Sequence, residues 1–198
     1  NGKYLDPIQG KDYELGIKGD YFDGALSASF GVFKVVQDKL GARTGQKIPG
    51  TTTDAYEAKK GVTSKGFEVD VNGEINQNLS LGLGLTHFNA KDADGKKFDT
   101  ESSRTTANLF AKYSIADFRA GAGVQYKSKI YVGSGANEIT QKAYTLANLM
   151  FGYRISKNFD IQLNIDNVFN KKYFEGIGNN KMVYGDPRTF NLGFTYNF

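Results

Sequence analysis

Cysteine is absent from the 198 residues, which excludes disulfide frameworks and thiolate metal sites. Histidine occurs once, as His87. No Ser-His-Asp triad or metal cluster can be built around it, so no catalytic residue, metal site or cofactor is expected. Proline occurs only 3 times, as suits long, turn-linked strands. No stretch approaches the roughly 18 consecutive apolar residues of a membrane helix, in line with a mean hydropathy of −0.46. Basic tracts are missing too. The formal charge of +4 is carried in pairs such as Lys59-Lys60, Lys96-Lys97 and Lys171-Lys172, which is not a nucleic-acid-binding pattern. Asp92-Ala93-Asp94-Gly95 lacks the Gly and Glu spacing of a calcium loop. The chain opens at Asn1 with neither an initiator Met nor a signal peptide, and reads as a piece of a longer protein.

Glycine and aromatic residues are plentiful: 24 Gly, 12 Tyr and 15 Phe. Apolar residues recur with a period of two, which predicts strands. Nine are expected, over Lys11–Phe22, Ala25–Leu40, Tyr56–Ile75, Leu79–Lys91, Arg104–Ile115, Phe118–Val132, Lys142–Ile155, Phe159–Asn167 and Arg188–Phe198. Tight joints at Asp23-Gly24, Asn76–Asn78, Ala116-Asp117 and Ser156–Asn158 alternate with long polar loops near 41–55, 92–103, 133–141 and 168–187. Short turns on one side and long loops on the other are the habit of outer-membrane barrels.

Register tests this pattern, because a slip of one residue inverts every face. Folding at Ser156–Asn158 opposes Phe151 to Leu163 and Tyr153 to Ile161 on one face, and Gly152 to Gln162 on the other. The Ala116-Asp117 joint opposes Leu109 to Val124, with Asn108 and Gln125 behind them. The Asn76–Asn78 joint sets Val71 against Leu83, and Asn72 and Asp70 against Gly82 and Gly84. The Asp23-Gly24 joint sets Ile17 against Phe30 and Leu15 against Val32. The apolar faces carry almost no charge, as a lipid-facing surface requires. Lys34 is the exception, near the outer end of its strand, where it can snorkel. The alternative is a soluble antiparallel barrel or sandwich with the apolar face as its core. Against it, the polar face holds Phe33, Phe110, Leu146 and Met150 together with many glycines.

The predicted fold is therefore an all-β transmembrane antiparallel β-barrel with its tight turns in the periplasm. Nine is an odd number of strands, and an open barrel edge in lipid leaves backbone groups unpaired. Further N-terminal strands are expected outside this chain. Gly16, Gly31, Gly82, Gly84, Gly121, Gly123, Gly152 and Gly193 all fall on the inner face. Glycine within a strand often marks close approach of another backbone, so a plugged lumen is expected.

Asn164-Ile165-Asp166-Asn167-Val168-Phe169-Asn170-Lys171-Lys172-Tyr173, then Tyr184-Gly185-Asp186-Pro187-Arg188, then a strand ending in Phe198, resemble the C-terminal signature of TonB-dependent outer-membrane receptors. Val168 stands where Leu is commoner in that signature, and Asn170 where Asp is. Leu5-Asp6-Pro7 through Tyr13–Lys18 resembles the same family's mid-barrel strand. Residues 1–198 would then be the last nine strands of an about 22-stranded plugged barrel. The plug and N-terminal strands would lie outside the chain. Ile48-Pro49-Gly50, Ala55-Tyr56 and Gly61–Gly66 resemble ferric-coprogen and related hydroxamate-siderophore receptors.

The resemblance implies import of a ferric siderophore across the outer membrane of a Gram-negative bacterium, not an enzyme. Its implied partners are the TonB complex, reached through the absent N-terminal region, membrane lipid and lipopolysaccharide, and the barrel-assembly machinery, through Phe198. A passive porin or an outer-membrane enzyme are the alternative functions. Ferric hydroxamates are bulky and partly apolar, so aromatic walls with polar anchors are expected near the outer mouth. Tyr131, Tyr184, Tyr173, Phe174, Tyr56 and Arg104 are the candidates for ligand contact.

Overall fold

The computed structural model describes residues 5, 7–59, 61–98, 101–133, 136, 138–178 and 181–198. Expectations that fall on Asp6, Lys60, Asp99, Thr100, Ser134, Gly135, Asn137, Asn179 and Asn180 lie outside the described residues. Nine strands form one sheet in the order β1 (Gln9–Tyr21), β2 (Leu26–Asp38), β5 (Val62–Glu74), β6 (Leu79–Lys91), β7 (Thr105–Ile115), β8 (Phe118–Lys127), β11 (Tyr144–Arg154), β12 (Phe159–Asp166) and β15 (Thr189–Tyr196). Three two-stranded ribbons accompany it among the described residues: β3 (Leu40–Lys47) with β4 (Asp54–Lys59), β9 (Ile130–Val132) with β10 (Ile139–Gln141), and β13 (Phe174–Gly178) with β14 (Lys181–Tyr184).

The chain divides into two compact units: residues 1–15, 32–66 and 88–98, and residues 16–31, 67–87 and 99–198. In the first, β3 and β4 pair with Arg43 opposite Tyr56 and a bulge before Lys47. An ion pair between Lys47 and Asp54, 2.6 Å long, sits near the ribbon's tip. This corrects two expectations: the loop near 41–55 is a ribbon, and the single strand Tyr56–Ile75 is two. Gly61 marks the break, because a Cβ there would overlap the Gln37 backbone. Lys34 places its ammonium 5.9 Å from the Tyr13 ring centre, a geometry suited to snorkelling. Asp92 caps a short turn, its carboxylate accepting from Asp94 N and Lys96 N.

In the second unit the expected registers are present. Phe151 opposes Leu163, Tyr153 opposes Ile161 and Gly152 opposes Gln162. Leu109 opposes Val124 and Asn108 opposes Gln125. A Cβ at Gly82 would face the Asn72 amide, and one at Gly84 the Asp70 carboxylate, as the Asn76–Asn78 joint requires. Asp23 and Gly24 both take positive φ, 53° and 85°, and Ala25 N donates to Phe22 O at 3.0 Å. That is the left-handed turn that matches strand twist in a two-residue hairpin. On β15, Phe190, Leu192, Phe194 and Tyr196 form an exposed apolar row, as a lipid-facing strand requires.

Some inner-face glycines make room for the sheet's own side chains. A Cβ at Gly121 would meet Phe110 and Met150, and one at Gly152 would lie 2.8 Å from the Arg119 guanidinium. Arg119 crosses over Gly152 to pair with Asp160 on β12. Between such side chains the inner face carries hollows of about 420 and 410 Å³, lined largely by amides and glycine, among them Asn72, Asn108, Asn148 and Asn164.

Candidate ligand site at the long-loop end

At its outer end the second unit departs from the simple strand-and-loop pattern. The expected strand Phe118–Val132 is two, because β8 stops at Lys127 and β9 restarts at Ile130. Ser128 stitches the gap, its hydroxyl accepting from Thr105 N at 3.0 Å. The regions near 133–141 and 168–187 contain β10, β13 and β14 rather than loop alone. Their apolar residues form a separate core of Ile130, Val132 and Ile177, each at most 4% exposed, with Ile139 and Phe174 against it.

The signature run after β12 has a mechanical role. Asn167 takes a φ of 49° and turns the chain out of the sheet, a conformation asparagine tolerates better than most residues. Its buried side chain donates to Lys171 O and Asp186 O, both at 2.9 Å, and accepts from Lys171 N at 2.8 Å. Asn148 in turn accepts from Asn167 N. Asn170, with φ 50°, accepts from Arg188 N at 3.0 Å. The two asparagines thus clasp the start of the final loop to its end, offsetting the entropy of closing it.

The clasp positions three of the candidates together. The Tyr173 ring lies 4.5 Å from Tyr144 and against Gly185, where any Cβ would overlap it. Burial, then the charges of Glu175 and Asp186, push the Tyr173 hydroxyl above its ordinary pKa, with a hydrogen bond to the Asp186 backbone acting the other way. Phe174 N donates to Gln141 Oε1 at 2.9 Å, and its ring lies 4.7 Å from Tyr184, which is 78% exposed. Tyr173, Phe174 and Tyr184 line an open cavity of about 470 Å³ with Gln141, Lys171 and Lys172, a size that suits a small-molecule ligand.

Arg104 and Tyr131 form a second pair. Arg104 is 9% exposed and donates to the Tyr131 hydroxyl at 3.2 Å, and Lys129 places its ammonium 5.6 Å from the same ring centre. Its burial suits a support for Tyr131 better than an open surface contact. Tyr56 belongs to the first unit, on the β3–β4 ribbon, and is 49% exposed. The His87 ring centre lies 5.7 Å from that of Phe67, and His87 shares a 2.8 Å hydrogen bond with Thr105. Among the described residues no cluster of His, Cys, Asp and Glu could hold a metal ion. Sequence reasoning missed Gln141, Asn170, Lys171 and Lys172 as cavity residues. The lysine pair was visible in the sequence, but nothing local distinguishes it from any solvated pair.

An all-β sheet with one bare apolar face, tight turns and elaborated long loops defines a wall of an outer-membrane barrel. The profile described as "TonB dependent receptor-like, beta-barrel" matches residues 1–168, and the chain belongs to that family of Gram-negative outer-membrane proteins. It is 33% identical over its whole length to the ferric-pyoverdine BN7/BN8 receptor of Pseudomonas putida, of which it covers 24%. The crystal structure of the outer-membrane ferripyoverdine receptor of Pseudomonas aeruginosa bound to ferripyoverdine superimposes with a TM-score of 0.87 at 29% identity, over 99% of this chain and 28% of that one. The siderophore receptor PiuA of Acinetobacter baumannii gives 0.84 at 25% identity, over 99% and 29%. The chain thus spans about a quarter of the length of these relatives.

Proposed function

We propose that this chain is the C-terminal barrel portion of a receptor that imports a ferric siderophore across the outer membrane. Alignment of the whole of this chain with 24% of a ferric-pyoverdine receptor, at 33% identity, supports the reading most. The aromatic cavity at the long-loop end agrees with it. Energy would come from the TonB complex through a region outside this chain, and a plug domain would occupy the amide-lined inner face. Lipopolysaccharide would surround the outer end, and Phe198 would be read by the barrel-assembly machinery. No feature of the described residues favours an enzyme or a passive pore. The finer reading, a hydroxamate-type chelate, has the resemblance around Ile48–Gly50 and Gly61–Gly66 in its favour. The relatives are named for pyoverdine, metal-pseudopaline and catecholate instead.

The test is uptake. Deleting the complete receptor gene from its host should abolish transport of radioactive iron from one siderophore class, and replacing the gene should restore it. Unaltered uptake of ferric pyoverdine, catecholate and hydroxamate complexes in the deletion strain would refute the proposal.

A further inference from the structure

The cavity bounded by Tyr173, Phe174 and Tyr184 has a definite charge character. Lys171 and Lys172 line it, both exposed, and neither ammonium has an ion-pair partner among the described residues. Its amide oxygens are already engaged: Gln141 Oε1 accepts from Phe174 N, and Asn170 Oδ1 from Arg188 N. Glu175 and Asp186 act on the Tyr173 hydroxyl, but neither lines the cavity. What the cavity offers a guest is two ammonium groups, the hydroxyl and exposed ring of Tyr184, and the parts of the Tyr173 and Phe174 rings left uncovered by Tyr144 and Tyr184. Such a site favours a guest that is both negatively charged and aromatic, since cations and donors pair with its charge and the rings stack on its planes.

Building on the import reading, we infer that this cavity seats an anionic aromatic part of the iron chelate, with Lys171 and Lys172 selecting for its negative charge. Iron(III) held by three catecholates is a trianion with planar rings. Held by three simple hydroxamates it is neutral and carries no aromatic ring. The lysine pair therefore discriminates between chelates that carry the same metal.

The test uses the complete receptor purified in detergent, with iron(III) tris-catecholate and iron(III) tris-acetohydroxamate as probes and bound radioactive iron as the readout. The native receptor should bind the catecholate complex about tenfold more tightly, the scale of one or two charge-assisted contacts. The Lys171→Gln, Lys172→Gln double variant should erase that preference, while the Lys171→Arg, Lys172→Arg double variant should keep it. Added salt should weaken the preference in the native receptor. Equal affinity for both probes, unmoved by the glutamine variant, overturns the inference and leaves the import reading standing. Failure of the native receptor to bind either probe also overturns the inference, and the import reading then stands or falls by the uptake experiment alone. A glutamine variant that loses co-purified lipopolysaccharide by mass spectrometry, yet keeps the preference between probes, assigns the lysines to a lipid phosphate and overturns the inference.

Discussion

Asparagine is used at both ends of the second unit, to different effect. In the tight turns it is exposed: Asn158 donates to Asn197 O and Asn78 to Ser114 O, each at 2.6 Å, tying one turn to the adjoining strand end. At the long-loop end Asn167 is 4% exposed and holds three backbone partners drawn from Lys171 and Asp186. Removing the first kind of contact returns backbone groups to water, whereas removing the second leaves them buried and unmet. The two regions therefore differ less in composition than in what a lost contact costs. The long loops, which in the sequence look like the yielding part, contain a buried polar network and a core of their own.

This contrast should be sharpest at the asparagines. Asn167→Ala should cost about 4 kcal/mol of local stability, from buried partners left unsatisfied and a left-handed backbone that alanine disfavours, against about 1 kcal/mol for Asn158→Ala. Amide hydrogen exchange across 168–187 and across the 156–158 turn in the complete receptor measures both. Comparable losses at the two sites would break the comparison. The apolar residues should divide in the same way. Ile177→Ala removes a fully buried side chain from the loop core and should cost about 3 kcal/mol. Leu192→Ala on the apolar row exchanges side-chain contacts for lipid contacts and should cost about 1 kcal/mol or less. Unfolding in urea from lipid vesicles reports the second, and protease resistance of the loops the first.

A pH titration gives the smallest effect. The raised pKa of the Tyr173 hydroxyl means that its neutral form is favoured when the loop is folded. Its contribution to stability is thus complete below the ordinary tyrosine value of 10.0, and is lost as pH climbs through the raised folded value. In ultraviolet titration of phenolate formation, the native-minus-Tyr173→Phe difference should rise at higher pH than for an exposed tyrosine. A difference curve centred at the ordinary value would show that the ring is not held between Tyr144 and Gly185.

The sequence by itself determined the sheet. Alternation with a period of two, closed by turns of two or three residues, admits one register per hairpin, since a slip would put Leu163 or Val124 on the polar face. That logic placed Phe151 opposite Leu163 and Leu109 opposite Val124 without any tertiary information. It also grouped Tyr173, Phe174 and Tyr184 in one loop. Only the tertiary structure decided how that loop is held. The bonds from Asn167 to Asp186 and from Asn170 to Arg188 span most of its length, and the core of Ile130, Val132 and Ile177 joins segments that no local period relates. The same holds for Gln141 and the lysine pair, whose place at the cavity depends on where Phe174 is pinned. Short-range steric rules write themselves into neighbouring residues. Contacts closed across a long loop leave no periodic trace, because any sequence separation can satisfy them.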